Sequence, residues 1–350
     1  MKIAIHDHKE SYSDRWISYC EGEGIQYKRV NCYKTDIINQ LADCDGLMWH
    51  FHQASPKDVK FAKQLLFAVQ ASGKKVFPDF NTGWHFNDKV GQKYLLESFD
   101  APLASAYVSY SKKEAVKWAD QATFPKVFKL RGGAGSENVR LVKTRKQAKR
   151  LINRAFGYGF RQYNPSNGLK EKWRRYKMGK AKVMDLIEAL ARYVIKTDYE
   201  RIVAREKGYV YFQDFIDGLS FDIRVKIAYD KCWVYKRLIR EDDFRASGSD
   251  MQVFSPEGVP MEMIKLAFEL SRKLKLQCVA FDFVISKENR FYLLEISYGF
   301  GYKEEQHYAY WDSDLNWHDE QFNPFGWMVE GLMEEIERDT IKGINPGNLI

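Results

Sequence analysis

Two acidic residues, Asp282 and Glu295, stand thirteen positions apart in apolar surroundings, with VAF before the first and YLL before the second. A turn at Asn289 and Arg290 would set them opposite each other on an antiparallel ladder. Facing carboxylates repel each other unless a cation lies between them. Hard oxygen donors at that spacing suit Mg²⁺, which keeps several waters and takes phosphate oxygens as further ligands. Two exposed acids on a surface hairpin are the plain alternative, and the apolar flanks weigh against it.

Three further stretches could serve the same chemistry. Lys129 precedes the glycine-rich turn Arg131-Gly132-Gly133-Ala134-Gly135-Ser136. Glycines let backbone N–H groups approach phosphate oxygens, and the lysine adds a point charge. The turn lies between two strands and not at a helix start, so it is no P-loop, and a glycine-rich hairpin gives the same text. Next come Gln213-Asp214-Phe215-Ile216-Asp217-Gly218 and Asp222-Ile223-Arg224, an apolar strand end whose backbone could meet an adenine edge, followed by acids. Last, Lys236, Arg237 and Arg240 lead to Asp243-Phe244-Arg245. Arginines beside the carboxylate pair would neutralise a transferring phosphoryl group and a developing oxyanion, while a charged edge strand would look alike.

Taken in order, these features resemble the ATP-grasp superfamily, most nearly the ribosomal-protein glutamate ligases and, further off, D-alanine–D-alanine ligase. The resemblance spans residues 77–301. It implies a carboxylate–amine ligase using ATP and Mg²⁺ and releasing ADP. Lys89 and Lys129 would hold the phosphates, with the Gly132, Gly133 and Gly135 turn as a lid over them. Asp214, Phe215 and Ile216 would line the adenine, and Asp217 would meet the ribose. Arg237, with Lys129 and Arg224, would form the catalytic set. Asp282 and Glu295 would hold one or two Mg²⁺ ions. The family's usual E-x-N is here Glu295-Ile296-Ser297, and a serine hydroxyl is a weaker metal ligand than an amide oxygen, which leaves the second ion open.

Elements that could position these groups follow from the apolar spacing. Strand and helix alternate over residues 1–98, which predicts a small parallel sheet covered by helices, an α/β substrate module. Residues 99–207 read as a central ATP-grasp subdomain with the lid and a basic, largely helical insertion. Residues 208–350 read as a second α+β subdomain with a mainly antiparallel sheet, a helix over residues 261–274 and the Mg²⁺ site. The expected class is thus an α/β module plus α+β domains clamping ATP.

The chain has 350 residues, 45% apolar and 29% charged, a folded composition large enough for two or three modules. No apolar run reaches signal-peptide or membrane-spanning length, and the expected location is the cytoplasm. Cys20, Cys32, Cys44, Cys232 and Cys278 form no CxxC pair and read as free thiols. The net charge of +8 is concentrated: residues 143–182 hold fourteen Lys or Arg against the single acid Glu171. That segment predicts an anionic glycan or peptide acceptor, or its diphosphate carrier; a solvated helix face is the alternative. His6, Asp7 and His8 follow the first strand, and His50 and His52 the third, where substrate hydrogen bonds, plain loop roles or a metal are all open. The aromatics Tyr298, Phe300, Tyr302, Tyr308, Tyr310, Trp311 and Trp317 could stack on a sugar or simply pack. Two other classes stay in view. One is a kinase of the same fold; the other is a basic protein binding polyphosphate or an anionic membrane, with nucleic acid disfavoured because aromatics do not interleave with the cations.

Overall fold

The computed structural model describes the chain except residues 10, 134–137, 163–164, 178, 180, 196–197, 240–250, 302–307 and 342–350. Of the residues named above, Ala134, Gly135, Ser136, Arg240, Asp243, Phe244, Arg245 and Tyr302 lie outside it.

The first sheet is parallel, as the alternation predicts. Its strands β1 (Ile3–His6), β2 (Tyr27–Val30), β3 (Gly46–Met48) and β4 (Lys75–Phe77) lie in the order β2-β1-β3-β4. Helix α1 (Tyr12–Glu23) starts at Ser11, whose side chain accepts from Ser13 N–H, and stops at Gly24 with φ 66°. The short α2 (Ile37–Gln40), α3 (Pro56–Ala71) and the short α4 (Phe80–Gly83) complete the layers. Helix α5 (Lys89–Glu97) then leads out, capped by Asp88 accepting from Gly91 N–H at 2.9 Å.

A second sheet follows, built from β5 (Ala106–Ser109), β6 (Lys126–Lys129), β7 (Arg140–Val142) and β8 (Val210–Asp214) in the order β5-β8-β6-β7. Helices α6 (Lys112–Gln121) and α7 (Arg145–Ala155) cover one face, burying Ala115, Ala119, Ala148 and Ile152 against Phe128 and Phe212. Helices α8 (Pro165–Lys177), α9 (Val183–Ala191) and α10 (Asp198–Ile202) stand between β7 and β8. One boundary moves here. β8 reads from sequence as the opening strand of the last module, yet it bonds antiparallel to both β5 and β6.

The third sheet contains β9 (Phe221–Ala228), β10 (Lys231–Leu238), β11 (Gln252–Val253), β12 (Cys278–Ile285), β13 (Phe291–Ser297), β14 (Tyr310–Asp312) and β15 (Trp317–His318), with α11 (Met261–Leu274) across it. Strict alternation gives the sheet two unlike faces. Ile223, Val225, Ile227, Val279, Phe281 and Phe283 bury against Met263, Ile264, Ala267 and Phe268 of α11. Each such side chain removed from water contributes roughly 1.5–3 kcal/mol, so this face holds the sheet in place and frees the other for polar groups.

Helix α12 (Pro324–Ile341) returns to the start of the chain. Met328, Leu332 and Ile336 pack with Ile3, Ile5, Trp16 and Phe77 in one core that also takes in Trp233, Cys278 and Phe300. The ring of Tyr229 fills the space a Cβ at Gly331 would need, so glycine is required for this approach. All five cysteines are free and buried. Among the described residues no helix is long and apolar enough to cross a membrane.

Candidate active site

The open face of the third sheet is a grid of paired charges. Register sets Glu295 opposite Asp282, Asp282 opposite Arg224, and Arg224 opposite Tyr235. One step along, Ser297, Ala280, Lys226 and Trp233 form a parallel row, and on the other side Asp222 faces Arg237. The hairpin turns at Asn289, φ 57°, so the sequence spacing and the ladder agree. The ladder slips between Asp282 and Phe283, leaving Leu294 as an extra residue on β13. This bulge returns Leu293 to the α11 core while Leu294 and Glu295 both face the cavity described below.

Asp282 is the hub. Its Oδ1 accepts from Arg224 Nε at 2.7 Å, and its Oδ2 from Arg224 at 2.7 Å and Arg237 at 2.9 Å. Arg237 also bonds both oxygens of Asp222, at 2.7 and 2.5 Å. Burial works against ionising Asp282, but the two guanidinium groups outweigh it and hold its carboxyl well below the usual range.

Above the grid, Lys89 donates to Glu295 Oε1 at 3.0 Å and to the Gly133 carbonyl at 2.8 Å. Gly133, at φ 113°, gives its own N–H to Asn87 Oδ1 at 2.7 Å, which ties the start of the glycine turn to the head of α5. Lys129 donates to Gln213 Oε1 at 2.6 Å. Burial lowers its pKa to about 8, with Glu295 raising it and Lys89 lowering it further.

Between the second and third sheets these groups enclose a cavity of about 240 Å³. Lys89, Lys129, Gly133, Asp214, Phe215, Ile216, Arg224, Arg237, Asp282, Glu295 and Ser297 all line it. Apolar walls come from Val127, Leu219, Ile239, Val284 and Leu294, and Gly299, Phe300, Gly301 and Gln53, which follows the first sheet's third strand, line it too. Gly132 lies instead on a second cavity of about 100 Å³, with Asn87, Asp88, Arg131 and Glu206. Asp217 stands outside both, largely exposed and paired with Lys287 at 3.3 Å. Ser297 Oγ donates to the Gly299 carbonyl at 2.8 Å.

No protein-family model matches the sequence, and no curated protein matches it. Solved structures do match in shape. The biotin carboxylase domain of 2-oxoglutarate carboxylase from Hydrogenobacter thermophilus has a TM-score of 0.59 at 11% identity, over 95% of this chain and 69% of that one. A RimK domain ATP-grasp protein from Sphaerobacter thermophilus has 0.54 at 12%, over 95% and 100%. The macrocyclase MdnC from Microcystis aeruginosa, solved with its precursor peptide MdnA, has 0.51 at 12%, over 95% and 100%. This chain has the ATP-grasp fold.

Of the four histidines at the ends of β1 and β3, His6 and His50 are buried. His6 is buried, takes Cys32 N–H on Nδ1 at 3.0 Å, and is pushed down to about 4 by burial. His50 stacks on Tyr12 at 3.7 Å. Among the described residues no group of three or more His, Cys, Asp or Glu could hold a metal ion. The aromatics divide: Tyr298, Phe300, Tyr310 and Trp311 are buried, whereas Tyr308 and Trp317 are exposed. None of the described residues of the 143–182 segment lines the large cavity.

Sequence reasoning missed Gln53, which carries no local signal, and Lys226. The latter was findable, because Asp222, Arg224 and Lys226 follow one another at period two on a single face. Lys226 is fully buried, donates to the Gly301 carbonyl at 3.0 Å and lies against the rings of Tyr235 and Phe300, and burial lowers its pKa well below that of ordinary lysine.

Proposed function

We propose that the chain is an ATP- and Mg²⁺-dependent carboxylate–amine ligase whose nucleotide occupies the 240 Å³ cavity. The observation that carries this reading is the Glu295–Asp282–Arg224 row on the cavity floor, with Lys89 on its first member and Arg237 on its second. In support, the neighbours of like shape include a biotin carboxylase domain solved with MgADP and an ATP-grasp ligase solved with a minimal precursor, Mg and ADP.

The donor set fits a hard cation. A carboxylate offers about four lone-pair sites. Asp282 commits three to arginines and Glu295 one to Lys89, so Glu295 has the greater spare capacity. Two carboxylates with Ser297 in reach suit Mg²⁺ that takes most of its ligands from phosphate and water, and the ion would supply charge neutralisation at those phosphates. Lys89 and Lys129 hold phosphate oxygens. Arg224 and Arg237, fixed by Asp282 and Asp222, present charge to the transferring group without reorganising. Phe215 and Ile216 give the apolar edge for adenine. A substrate carboxylate oxygen bonds the γ-phosphorus as its bond to ADP breaks, and an amine then displaces phosphate from the acyl carbon, losing its proton. Gln53 and Gly299 line the acceptor side of the cavity.

The test is product analysis over mixed carboxylates and amines. ADP, phosphate and an amide in equal amounts are expected. AMP with pyrophosphate would overturn the γ-phosphorus assignment, and a stable phosphate ester would make the protein a kinase of the same fold.

A further inference from the structure

The α8–α9 pair reverses the usual burial pattern. On α9, Val183, Ile187 and Leu190 recur at i, i+4 and i+7 and so share one face. That face is open: they are 56%, 54% and 55% exposed, Met184 beside them is 63%, and Val194 just past the helix is 86%. The opposite side holds Ala189, which is buried. On α8, Trp173 and Tyr176 are also exposed, at 50% and 39%, with their rings stacked at 6.0 Å and Lys177 over the tryptophan. Around them the sequence is strongly basic: residues 165–182 contain seven Lys or Arg and one acid.

We propose that this pair is a docking surface for the anionic face of a lipid bilayer. Two observations select that occupant. The pair exposes aliphatic side chains, Trp and Tyr within a cationic segment, the composition of a helix lying at a membrane–water interface. Neither cavity described above takes a residue from α8 or α9. A second copy is disfavoured by charge, since a symmetric contact would face the same cations with themselves. Lysine and arginine stems can lie along the apolar strip while their heads meet phosphate. The surface is separate from the nucleotide cavity, and its test does not depend on the ligase reading.

The full chain is sedimented with phosphatidylcholine vesicles and with mixed phosphatidylcholine–phosphatidylglycerol vesicles. Binding to the mixed vesicles at least about tenfold tighter is expected, because an anionic surface attracts the clustered Lys and Arg side chains. Raised salt weakens it. Ile187→Ser with Leu190→Ser, both exposed and outside the cavity, lowers vesicle binding about tenfold or more while the melting temperature stays put. Lys170→Glu with Arg175→Glu does the same through charge. Three results overturn the proposal: no binding to either vesicle; binding that neither pair of substitutions changes; or α9 amides as protected from hydrogen exchange without vesicles as with them. Capture of an acidic helical peptide in place of vesicles, lost in the same variants, also overturns it and makes the partner a protein.

Discussion

On the floor of the cavity charged side chains are buried and paired, whereas on the α8–α9 pair apolar side chains stand in the open among cations. Arg237 and Asp222 have side chains only 6% exposed, while Ile187 is 54% exposed. Each arrangement costs free energy for the isolated chain. Buried ions lose hydration, which neighbouring charges and hydrogen bonds offset. Exposed aliphatics order water with nothing to offset it. The first cost is met within the fold, and the grid is therefore rigid before any ligand arrives. On the docking proposal, the second is met by something outside the fold. The comparison separates a preorganised site from an incomplete surface.

The largest effects should come from breaking the grid at its hub. Asp282→Asn leaves two buried guanidinium groups short of a partner, and removing one member of such a network costs about 3–5 kcal/mol. Glu295, with a side chain 32% exposed against 10% for Asp282, should behave differently. Glu295→Gln is expected to cut turnover by about 100-fold or more and barely move the melting temperature. Denaturant unfolding of both variants beside a turnover assay separates the roles. Equal loss of stability in the two would show that Glu295 is as structural as Asp282. The two arginines on Asp282 are what set its variant apart.

A pH series sharpens the same site. Lys129 is held at about 8 in the folded chain by burial, against about 10.4 for a free lysine. Between those values the unfolded chain binds more protons, so this group makes stability rise with pH across that window. Binding runs the other way. The ammonium that would hold phosphate is lost above about 8, so the KM for ATP should climb about tenfold per pH unit beyond it. Lys129→Arg should remove that inflection, and its persistence in the variant would assign it to another group.

What the sequence revealed, and what it hid, follows the same division. The Asp282–Glu295 ladder was legible because strand alternation and one turn fix register locally. The parallel first sheet and α11 were legible for the same reason. β8 was misplaced because pairing between strands far apart in sequence leaves no mark in local pattern. Gln53 was invisible because a loop residue gains its role only when two modules meet. The apolar strip of α9 has ordinary helical spacing, and only the fold reveals that the strip faces outward. Substitutions on the two faces make that difference measurable. Ile223→Ala, under α11, should cost about 2–5 kcal/mol, whereas Leu190→Ser on the open face should change stability by less than about 0.5 kcal/mol. A large loss at Leu190 would mean that the open face is covered in the free chain.

The smallest effect is expected at Asp217, which the resemblance assigns to the ribose. Its side chain is 77% exposed, its partner Lys287 is 64% exposed, and they meet at 3.3 Å. Exposed pairs of this kind contribute about 0–1 kcal/mol and are screened by salt. Asp214, three residues earlier, lines the cavity and pairs with Lys126 at the end of the second sheet. Gly218, φ 72°, turns the chain beside Asp217, while Ile216 and Leu219 on either side of the pair line the cavity. Asp217→Ala should therefore change the KM for ATP by less than about twofold, well short of the tenfold that 1.4 kcal/mol of lost contact would give. Asp214→Ala should have the larger effect of the two, since it removes a cavity wall and leaves Lys126 without its carboxylate. A tenfold rise at Asp217 would mean that the turn folds inward once nucleotide is bound, and that the cavity wall on this side is set by the ligand and not by the fold.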